Sequence, residues 1–261
     1  MPTISLVINL DSRPKRNQEE GMFSGTSNWD YFVEGIRNKQ LYFLGYEIET
    51  IAYVDKHLDI PEMEMKYLLE NCDAVVIRKH KQFEGFNDWN YIEALSMCRG
   101  DYICHTDQDC VMFTSSPNFI QYQLDLLEKY DYISYPSIHS PNPVVDASFD
   151  HWWSSTRYFL CKRSSIDFTE LRKMMQDYDY CFNTYPANRR CFFMEHWLGL
   201  LAKYKGNGVF YPPMQPENYV VFRWGRYEDY IWRRLNGYSY NEVLNWLAQH
   251  SMVEPNYDVY C

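Results

Sequence analysis

The sequence predicts an α/β fold, with a mostly parallel central sheet flanked by helices. Strand-like and helix-like segments alternate over the first 135 residues of the chain. The first strand-like segment, residues 5–10, is almost entirely apolar, which is typical of a strand covered on both faces. Alternation of this kind favours parallel pairing, because each helix can return the chain to the edge where the next strand starts.

Local signals define each element of the first half in turn. Strands are predicted at residues 5–10, 47–54, 74–77, 102–105 and 132–135, and helices at 28–44, 62–70, 87–98 and from 116 onwards. Gly45 stands where a left-handed residue would end the first helix, and Asn87 is the expected N-cap of the third. Pro117 is compatible with a helix start at Ser116, because the first helical position needs no backbone N–H.

The second half of the chain is less regular. Strands are predicted at residues 157–161 and 208–211, and helices at 169–176 and 195–204. The polar and aromatic stretch at 138–153 contains two prolines and predicts a surface loop. Ser239 and Glu242 have the spacing of a capping box, which predicts a final helix from there to about residue 250. No linker-like stretch separates the halves, so we expect one continuous domain over residues 1–261.

Composition and charge exclude several classes of protein. Of the 261 residues 18% are aromatic, and this is too much apolar surface to stay solvated in a disordered chain. A net charge of −10 argues against general nucleic-acid binding, which needs a cationic surface. The apolar runs are too short for a transmembrane segment, and residues 1–10 lack the basic start of a signal peptide. Interpreting the eight cysteines as buried thiols of a reducing compartment, we expect a cytoplasmic protein.

A pair of carboxylates follows the strand predicted at 102–105. Asp107 and Asp109 offer the hard oxygen ligands that Mg²⁺ and Mn²⁺ prefer. After a parallel strand they would lie at the carboxyl edge of the sheet, where open α/β sheets bind ligands. The Asp-x-Asp pattern alone is weak evidence, because it recurs at residues 177–179, where we expect a solvated turn. His105, just before the pair, belongs either to the core or to the site.

The residues around this pair resemble a known family. The segment Glu93-Ala-Leu-Ser-Met-Cys-Arg-Gly-Asp-Tyr-Ile-Cys-His-Thr-Asp-Gln-Asp109 is similar to the helix, Gly-Asp-Tyr, strand and DxD segment of GT-A-fold glycosyltransferases, especially family-2-like ones. The resemblance covers residues 4–113 well and extends more loosely to about residue 213. It implies a GT-A fold, a nucleotide-diphosphate sugar donor and a divalent cation, Mn²⁺ or Mg²⁺. It also implies that Asp107 contacts the ribose and the metal, and that Asp109 ligates the metal.

The resemblance further implies which residues bind the donor. In family members they lie on the loop after the first strand and at the end of the second strand. The matching positions here are Asn9, Asp11, Arg13 and Asp55, of which the last meets the base. A turn stabilised by side-chain hydrogen bonds explains the polar residues after the first strand equally well. From its position after the third strand, Arg78 can offset the diphosphate charge, although a solvated basic edge explains it equally well. Asn87 is a further candidate for a phosphate contact beside its role as a cap.

The acceptor side is expected in the second half of the chain. Residues 193–201 are similar to the Glu-Asp helix start that supplies the base in inverting members, with Glu195 at the first acidic position and His196 at the second. Either side chain can deprotonate an acceptor hydroxyl, and helix capping is the alternative role for both. Trp152 and Trp153 offer aromatic faces on which a sugar can stack, the alternative being ordinary core filling.

These expectations describe an enzyme that moves a sugar to a hydroxyl of a glycan or another acceptor, by inversion in the preferred interpretation. Residues 1–113 would form the nucleotide-sugar-binding half, 114–213 the acceptor half and 214–261 a helical C-terminal extension. Two alternatives stay open. One is a nucleotidyltransferase that uses the same carboxylate–metal site, and the other is a non-catalytic carbohydrate-binding protein.

Overall fold

The structure is a computed structural model. It describes residues 2–10, 28–55, 62–78, 89–108, 111–114, 118–134, 158–185, 194–210 and 218–221, together with 233, 236–239, 242–243 and 246.

Most described strands belong to one mixed sheet. The strands are β1 Thr3–Leu10, β2 Glu47–Asp55, β3 Ala74–Arg78, β4 Tyr102–Asp107, β5 Val111–Thr114, β6 Tyr132–Ser134, β7 Tyr158–Lys162, β8 Val209–Phe210 and β9 Asn218–Val221. Seven of them form a sheet of order β3-β2-β1-β4-β7-β6-β8, and β5 pairs antiparallel with β9 in a separate small sheet. Only β7 runs against its neighbours in the seven-stranded sheet. The predicted α/β class with a mostly parallel central sheet is therefore confirmed.

Helices cover both faces of this sheet. They are α1 Asn28–Tyr42, α2 Glu62–Asn71, α3 Trp89–Met97, α4 Phe119–Leu126, α5 Phe168–Gln176, α6 Tyr178–Thr184 and α7 Met194–Lys205. One core, which we name the α1 face, joins α1, α2 and α4 to Leu6 and Ile8 of β1. The other, the α7 face, joins α3, α5, α6 and α7 to Val7. Because alternate residues of β1 enter different cores, the consecutive residues Leu6, Val7 and Ile8 are all apolar.

The order of the strands creates a switch point. The chain steps from β1 to β2 to β3, and the intervening helices α1 and α2 both pack on the α1 face. Helix α3 then packs on the α7 face, and the chain arrives at β4 on the other side of β1. The winding direction therefore reverses between β1 and β4. In open α/β sheets, ligands bind outside the carboxyl ends of the strands at such a point.

Several predicted boundaries need correction. Strand β4 extends through Asp107, so this residue ends the strand rather than following it. Helix α4 begins at Phe119, with Asn118 at the N-cap position, and not at Ser116. The turn predicted at 177–179 is wrong, because Asp177 caps α6 by accepting a hydrogen bond from the N–H of Tyr180 at 2.8 Å. The small β5–β9 sheet had no counterpart in the predictions.

A hydrogen-bond cluster around the buried residue Glu49 lies at the amino edge of the sheet. Ser5 Oγ donates to Glu49 Oε2 at 2.5 Å and accepts from the N–H of Gly100 at 2.8 Å. Arg99 donates its backbone N–H to Oε2 and its Nε–H to Oε1 of the same carboxylate. Burial alone would raise the pKa of Glu49, but the hydrogen bonds from Ser5 and Arg99 outweigh it and lower this pKa.

Glycines and cysteines behave largely as the sequence indicates. Gly45 has φ +96°, the left-handed conformation predicted after the first helix. At Gly100 a Cβ atom would stand 2.7 Å from backbone atoms of β1, so glycine permits the close approach of two strands. Each of the five described cysteines is a free thiol, and burial raises the pKa of Cys98 to about 12.

The C-terminal part is described at few positions. Ser239 and Glu242 form the predicted capping box: Ser239 donates its N–H and Oγ–H to the Glu242 carboxylate, and the N–H of Glu242 donates back to Ser239 Oγ. No helix within the described residues combines the length and apolar character needed to cross a membrane.

Candidate functional site

Strand register places four of the predicted site residues along the carboxyl edge. Asn9 and Asp107 are partners across β1 and β4, and Asp55 and Arg78 are partners across β2 and β3. Asn9 is level with Tyr53 of β2, so Asp55 and Arg78 stand two residues, about 7 Å, further along their strands. The backbone positions of these residues span the four parallel strands from β3 to β4, a width of about 14 Å.

Asn9 and Asp107 meet at the switch point itself. The Nδ2 of Asn9 donates to Oδ1 of Asp107 at 3.0 Å, and its carbonyl oxygen accepts from the N–H of Gln108 at 2.9 Å. Asp107 is half-buried and Gln108 is buried. One residue of β1 therefore holds both the carboxylate and the following backbone. Because the amide of Asn9 is neutral, it orients the carboxylate without contributing a compensating charge.

Helix α1 holds the same segment from the opposite side. Lys39 Nζ donates to the carbonyl oxygen of Gln108 at 2.6 Å. The side chain of Asn38 binds Met112 twice: its Nδ2 donates to the carbonyl oxygen at 3.2 Å, and its Oδ1 accepts from the N–H at 2.9 Å. Asn38, Lys39 and Met112 are fully buried. The chain between the end of β4 and the second residue of β5 is thus anchored at both ends.

Helix α7, whose first turn contains Glu195 and His196, ends at the amino edge of the sheet. Strand β8 runs parallel to β6 and hence to β4, and the loop before it bonds to the start of β6 through Gly208 and Asp131. The C-terminus of α7 is therefore at the amino edge. Its 12 residues extend about 18 Å, which is close to the length of β4.

The side chains of Asn9 and Asp107 lie on the same face of the sheet as α7. Both residues follow by two positions a residue whose side chain lies in the α7-face core, Val7 in β1 and His105 in β4. Side chains alternate along a strand, so positions two apart share a face. The carboxylate of Asp107 and the helix that carries Glu195 and His196 are therefore on one side of the sheet.

His105 belongs to the core. It is fully buried, and its ring stacks on Phe159 with 5.5 Å between centroids. It also meets Tyr91 edge-on at 4.6 Å, and Tyr91 in turn contacts Tyr53 at 5.7 Å. These aromatic rings form a packed layer below the end of β4, which supports the strand that ends in Asp107.

For the other predicted site residues the structure describes the backbone position alone or does not describe the residue. Six predicted site residues lie outside the described residues: Asp11, Arg13, Asn87, Asp109, Trp152 and Trp153. For Asp55, Arg78, Glu195 and His196 the structure defines the backbone position. Across the described stretches, no three His, Cys, Asp or Glu side chains are grouped to hold a metal ion. The chemistry of the Asp107 carboxylate fits Mg²⁺ or Mn²⁺, and Asp109 is the expected second ligand.

Sequence reasoning missed Asn38 and Lys39, although one signal was present. Lys39 follows Ile36 by three residues and precedes Phe43 by four, which places it on the apolar stripe of α1. A lysine at a core position of a helix needs a polar partner inside the protein. Asn38 lies on the neighbouring stripe, where an asparagine is expected to face solvent, and its contact with Met112 depends on where the chain after β4 passes.

Comparisons with known proteins concern the fold. No protein-family model matches the chain, and no curated protein does so. Solved structures with a similar arrangement include the mannosyltransferase PcManGT from Pyrobaculum calidifontis in complex with GDP-Man and Mn²⁺, with a TM-score of 0.46 and 13% identity over 81% of this chain. S. aureus TarS 1–349 in complex with UDP-GlcNAc has a TM-score of 0.45 and 11% identity over 79% of this chain. The glycosyltransferase GlyE of Streptococcus pneumoniae TIGR4 has 0.46 and 10% over 99%.

The lengths of these proteins differ from that of this chain. The matched region spans 55% of PcManGT, 55% of TarS 1–349 and 67% of GlyE. Identities of 10–13% and TM-scores of 0.45–0.46 are too low to carry a conclusion about this chain.

Proposed function

We propose that this protein is a GT-A-type glycosyltransferase that moves a sugar from a nucleotide-diphosphate donor to a hydroxyl of a glycan or another acceptor, with Mn²⁺ or Mg²⁺. The observation that carries the proposal is the contact of Asn9 with Asp107 at the switch point between β1 and β4. Ligands of open α/β sheets bind at this place. A half-buried carboxylate oriented there by a neutral amide is suited to meet a cation.

The donor is proposed to lie across the carboxyl edge of β1 to β4. Asp55, at the end of β2, would contact the base, and Arg78, its register partner on β3, would offset the diphosphate charge. The nucleotide would also meet residues at the end of β1 and beyond it, namely Asn9, Asp11 and Arg13. Asn87 would contribute a phosphate contact.

Asp107 and Asp109 are the proposed ligands of the cation. Bound there, Mn²⁺ or Mg²⁺ would neutralise the charge that develops on the departing nucleoside diphosphate. The protein itself holds the Asp107 carboxylate in place through the 3.0 Å hydrogen bond from Asn9. This bond fixes one oxygen of the carboxylate and so limits its rotation about the side-chain bond.

Glu195, or His196 beside it, is proposed to accept the proton of the acceptor hydroxyl. The acceptor oxygen then bonds to the anomeric carbon while the bond from that carbon to the diphosphate oxygen breaks, with inversion. Helix α7 ends at the amino edge, packs on the face of Asp107 and is about as long as β4, and this supports an assignment of its first turn to the carboxyl edge. Trp152 and Trp153 would stack on the acceptor. Residues 1–261 would form one domain, divided into halves at about residue 113 and extended after 213.

The proposal is tested by the products formed from a panel of UDP-, GDP- and dTDP-sugars with Mn²⁺. The decisive variant is Asp109→Asn, and the matched control is Asp179→Asn, which removes an exposed carboxylate from the other Asp-x-Asp tripeptide, on α6. We expect Asp109→Asn to lower the release of nucleoside diphosphate by about 100-fold or more, since metal-ion stabilisation contributes several kcal/mol. The control should keep the wild-type rate.

Each other outcome has a defined meaning. Wild-type rates in Asp109→Asn would contradict the assignment of the metal site. Pyrophosphate in place of nucleoside diphosphate would identify a nucleotidyltransferase that uses the same carboxylates. Calorimetric binding of a sugar that needs neither nucleotide nor Mn²⁺, without turnover, would identify a non-catalytic carbohydrate-binding protein.

A further inference from the structure

Two consecutive side chains of α1 form hydrogen bonds with the backbone of residues 108–112, the segment that follows Asp107. Lys39 and Asn38 are fully buried, and their described hydrogen bonds go to Gln108 and Met112. Placing an ammonium group on the apolar stripe of a helix costs free energy, whereas a leucine or methionine there would extend the packing of Ile36. The lysine is therefore better explained by what it binds than by core packing.

The position of the Lys39 contact is specific. The carbonyl that accepts its hydrogen bond belongs to the peptide unit that joins Gln108 to Asp109. A peptide unit is planar, so a hydrogen bond that fixes its oxygen also fixes the direction in which the chain enters the next residue. On the other side of the same residue, the N–H of Gln108 donates to the carbonyl of Asn9. Both peptide units of Gln108 are thus held, one by β1 and one by α1.

We propose that Lys39 and Asn38 are positioning residues for the cation site formed by Asp107 and Asp109. Lys39 holds the peptide unit that joins Gln108 to Asp109. Asn38 holds Met112 through both the N–H and the carbonyl oxygen of Met112. The identity of the bound cation rests on the proposed function, whereas the anchoring is a property of the protein without metal. A preorganised carboxylate pair binds a cation more tightly, because less chain entropy is lost on binding.

The test compares Lys39→Met with the matched control Gln123→Met. Lys39→Met removes the ammonium group and keeps an unbranched side chain of similar length. Gln123 is also fully buried in the α1-face core, where it donates to Tyr42 Oη at 3.2 Å and accepts from Tyr158 Oη at 2.8 Å. Within the stretches that the structure describes, its hydrogen bonds do not reach the segment from Asp107 to Met112. The control therefore loses buried polar contacts in the same core without releasing this segment.

Two measurements separate the anchoring from the metal. Amide hydrogen exchange of the metal-free protein, followed on peptides covering residues 105–114, should be about 10-fold faster in Lys39→Met. Affinity for Mn²⁺ in the presence of UDP or GDP, measured from the EPR signal of free Mn²⁺, should fall about 10-fold, as for other groups that orient metal ligands. Gln123→Met should change neither the exchange rate nor the Mn²⁺ affinity, even if its melting temperature falls as far as that of Lys39→Met.

The outcomes are distinguishable. Unchanged exchange at residues 105–114, or an equal change in Gln123→Met, overturns the anchoring. Faster exchange with unchanged Mn²⁺ affinity overturns the positioning role alone. A wild-type protein that binds no Mn²⁺ with any nucleoside diphosphate contradicts the proposed function and the role in metal binding together. If Lys39→Met does not fold, Asn38→Ala, which removes both bonds to Met112, gives the same two measurements.

Discussion

Replacing Asn9 with alanine tests whether orientation of the Asp107 carboxylate matters for activity. The variant removes the Nδ2 donor 3.0 Å from Asp107 Oδ1, while the backbone bond from Gln108 to the carbonyl of residue 9 can persist. Asp107 is half-buried, and a hydrogen bond to a charged group contributes about 1.5–3 kcal/mol. For a partly exposed pair the lower half of that range applies. A loss of about 1.5–2 kcal/mol corresponds to roughly 10–30-fold in an equilibrium constant.

The assay is donor turnover as a function of Mn²⁺ concentration. We expect the Mn²⁺ concentration for half-maximal rate to rise about 10–30-fold in Asn9→Ala, with a smaller change at saturating Mn²⁺. The matched control is Gln121→Ala, which removes an amide-to-carboxylate bond of 2.9 Å to Asp125 on the exposed side of α4. A shift below twofold in Asn9→Ala, or an equal shift in the control, would refute the role of this hydrogen bond.

Further predictions concern the amino edge. Gly100→Ala should lower the free energy of unfolding in urea by about 3 kcal/mol, because its Cβ would overlap the backbone of β1. Gly45→Ala, at φ +96° in open space, should cost only about 1–2 kcal/mol, and equal losses would contradict this reasoning. Glu49→Gln should destabilise the protein most above pH 4.5, the ordinary pKa of a glutamate, and progressively less below it. A carboxylate whose pKa is lowered by folding stabilises the folded state at pH values above its ordinary pKa, and this contribution is lost as the carboxylate is protonated. A wild-type-to-variant difference in urea stability that is constant from pH 7 to pH 3 would exclude this linkage.

Much of the first half of the fold follows from the sequence because each element there carries its own local signal. The apolar run of β1 and the stop at Gly45 depend on residues close in the chain. The antiparallel direction of β7 has no such signal, since it depends on which strand of the sheet its residues meet. The β5–β9 pair joins residues more than 100 positions apart, so nothing local to Val111–Thr114 identifies it as a strand.

The candidate site was predictable to a similar extent. Asn9 and Asp107 lie at or next to the ends of strands that hydrophobic patterns indicate, although the pattern placed the end of β4 two residues too early. Asn38 acts through Met112, a residue 74 positions away, and no sequence pattern connects them. Residues 93–109, which carry the family resemblance, contribute to both edges of the sheet, and this division is seen only in the structure. Arg99 and Gly100, just before β4, form hydrogen bonds at the amino edge, whereas Asp107, the last residue of β4, accepts a hydrogen bond at the carboxyl edge.

The carboxylates near the two ends of β1, those of Glu49 and Asp107, differ in the groups that bind them. At the amino edge, Ser5 and Arg99 give the Glu49 carboxylate three hydrogen bonds and a cation, so its charge is used within the fold. At the carboxyl edge, Asn9 gives Asp107 a hydrogen bond but no charge. Substitutions at Glu49 should change stability and leave the Mn²⁺ dependence of turnover intact, whereas Asn9→Ala should raise the Mn²⁺ concentration needed for half-maximal rate. Variants from the two ends of one strand can thus separate loss of folding from loss of cation binding.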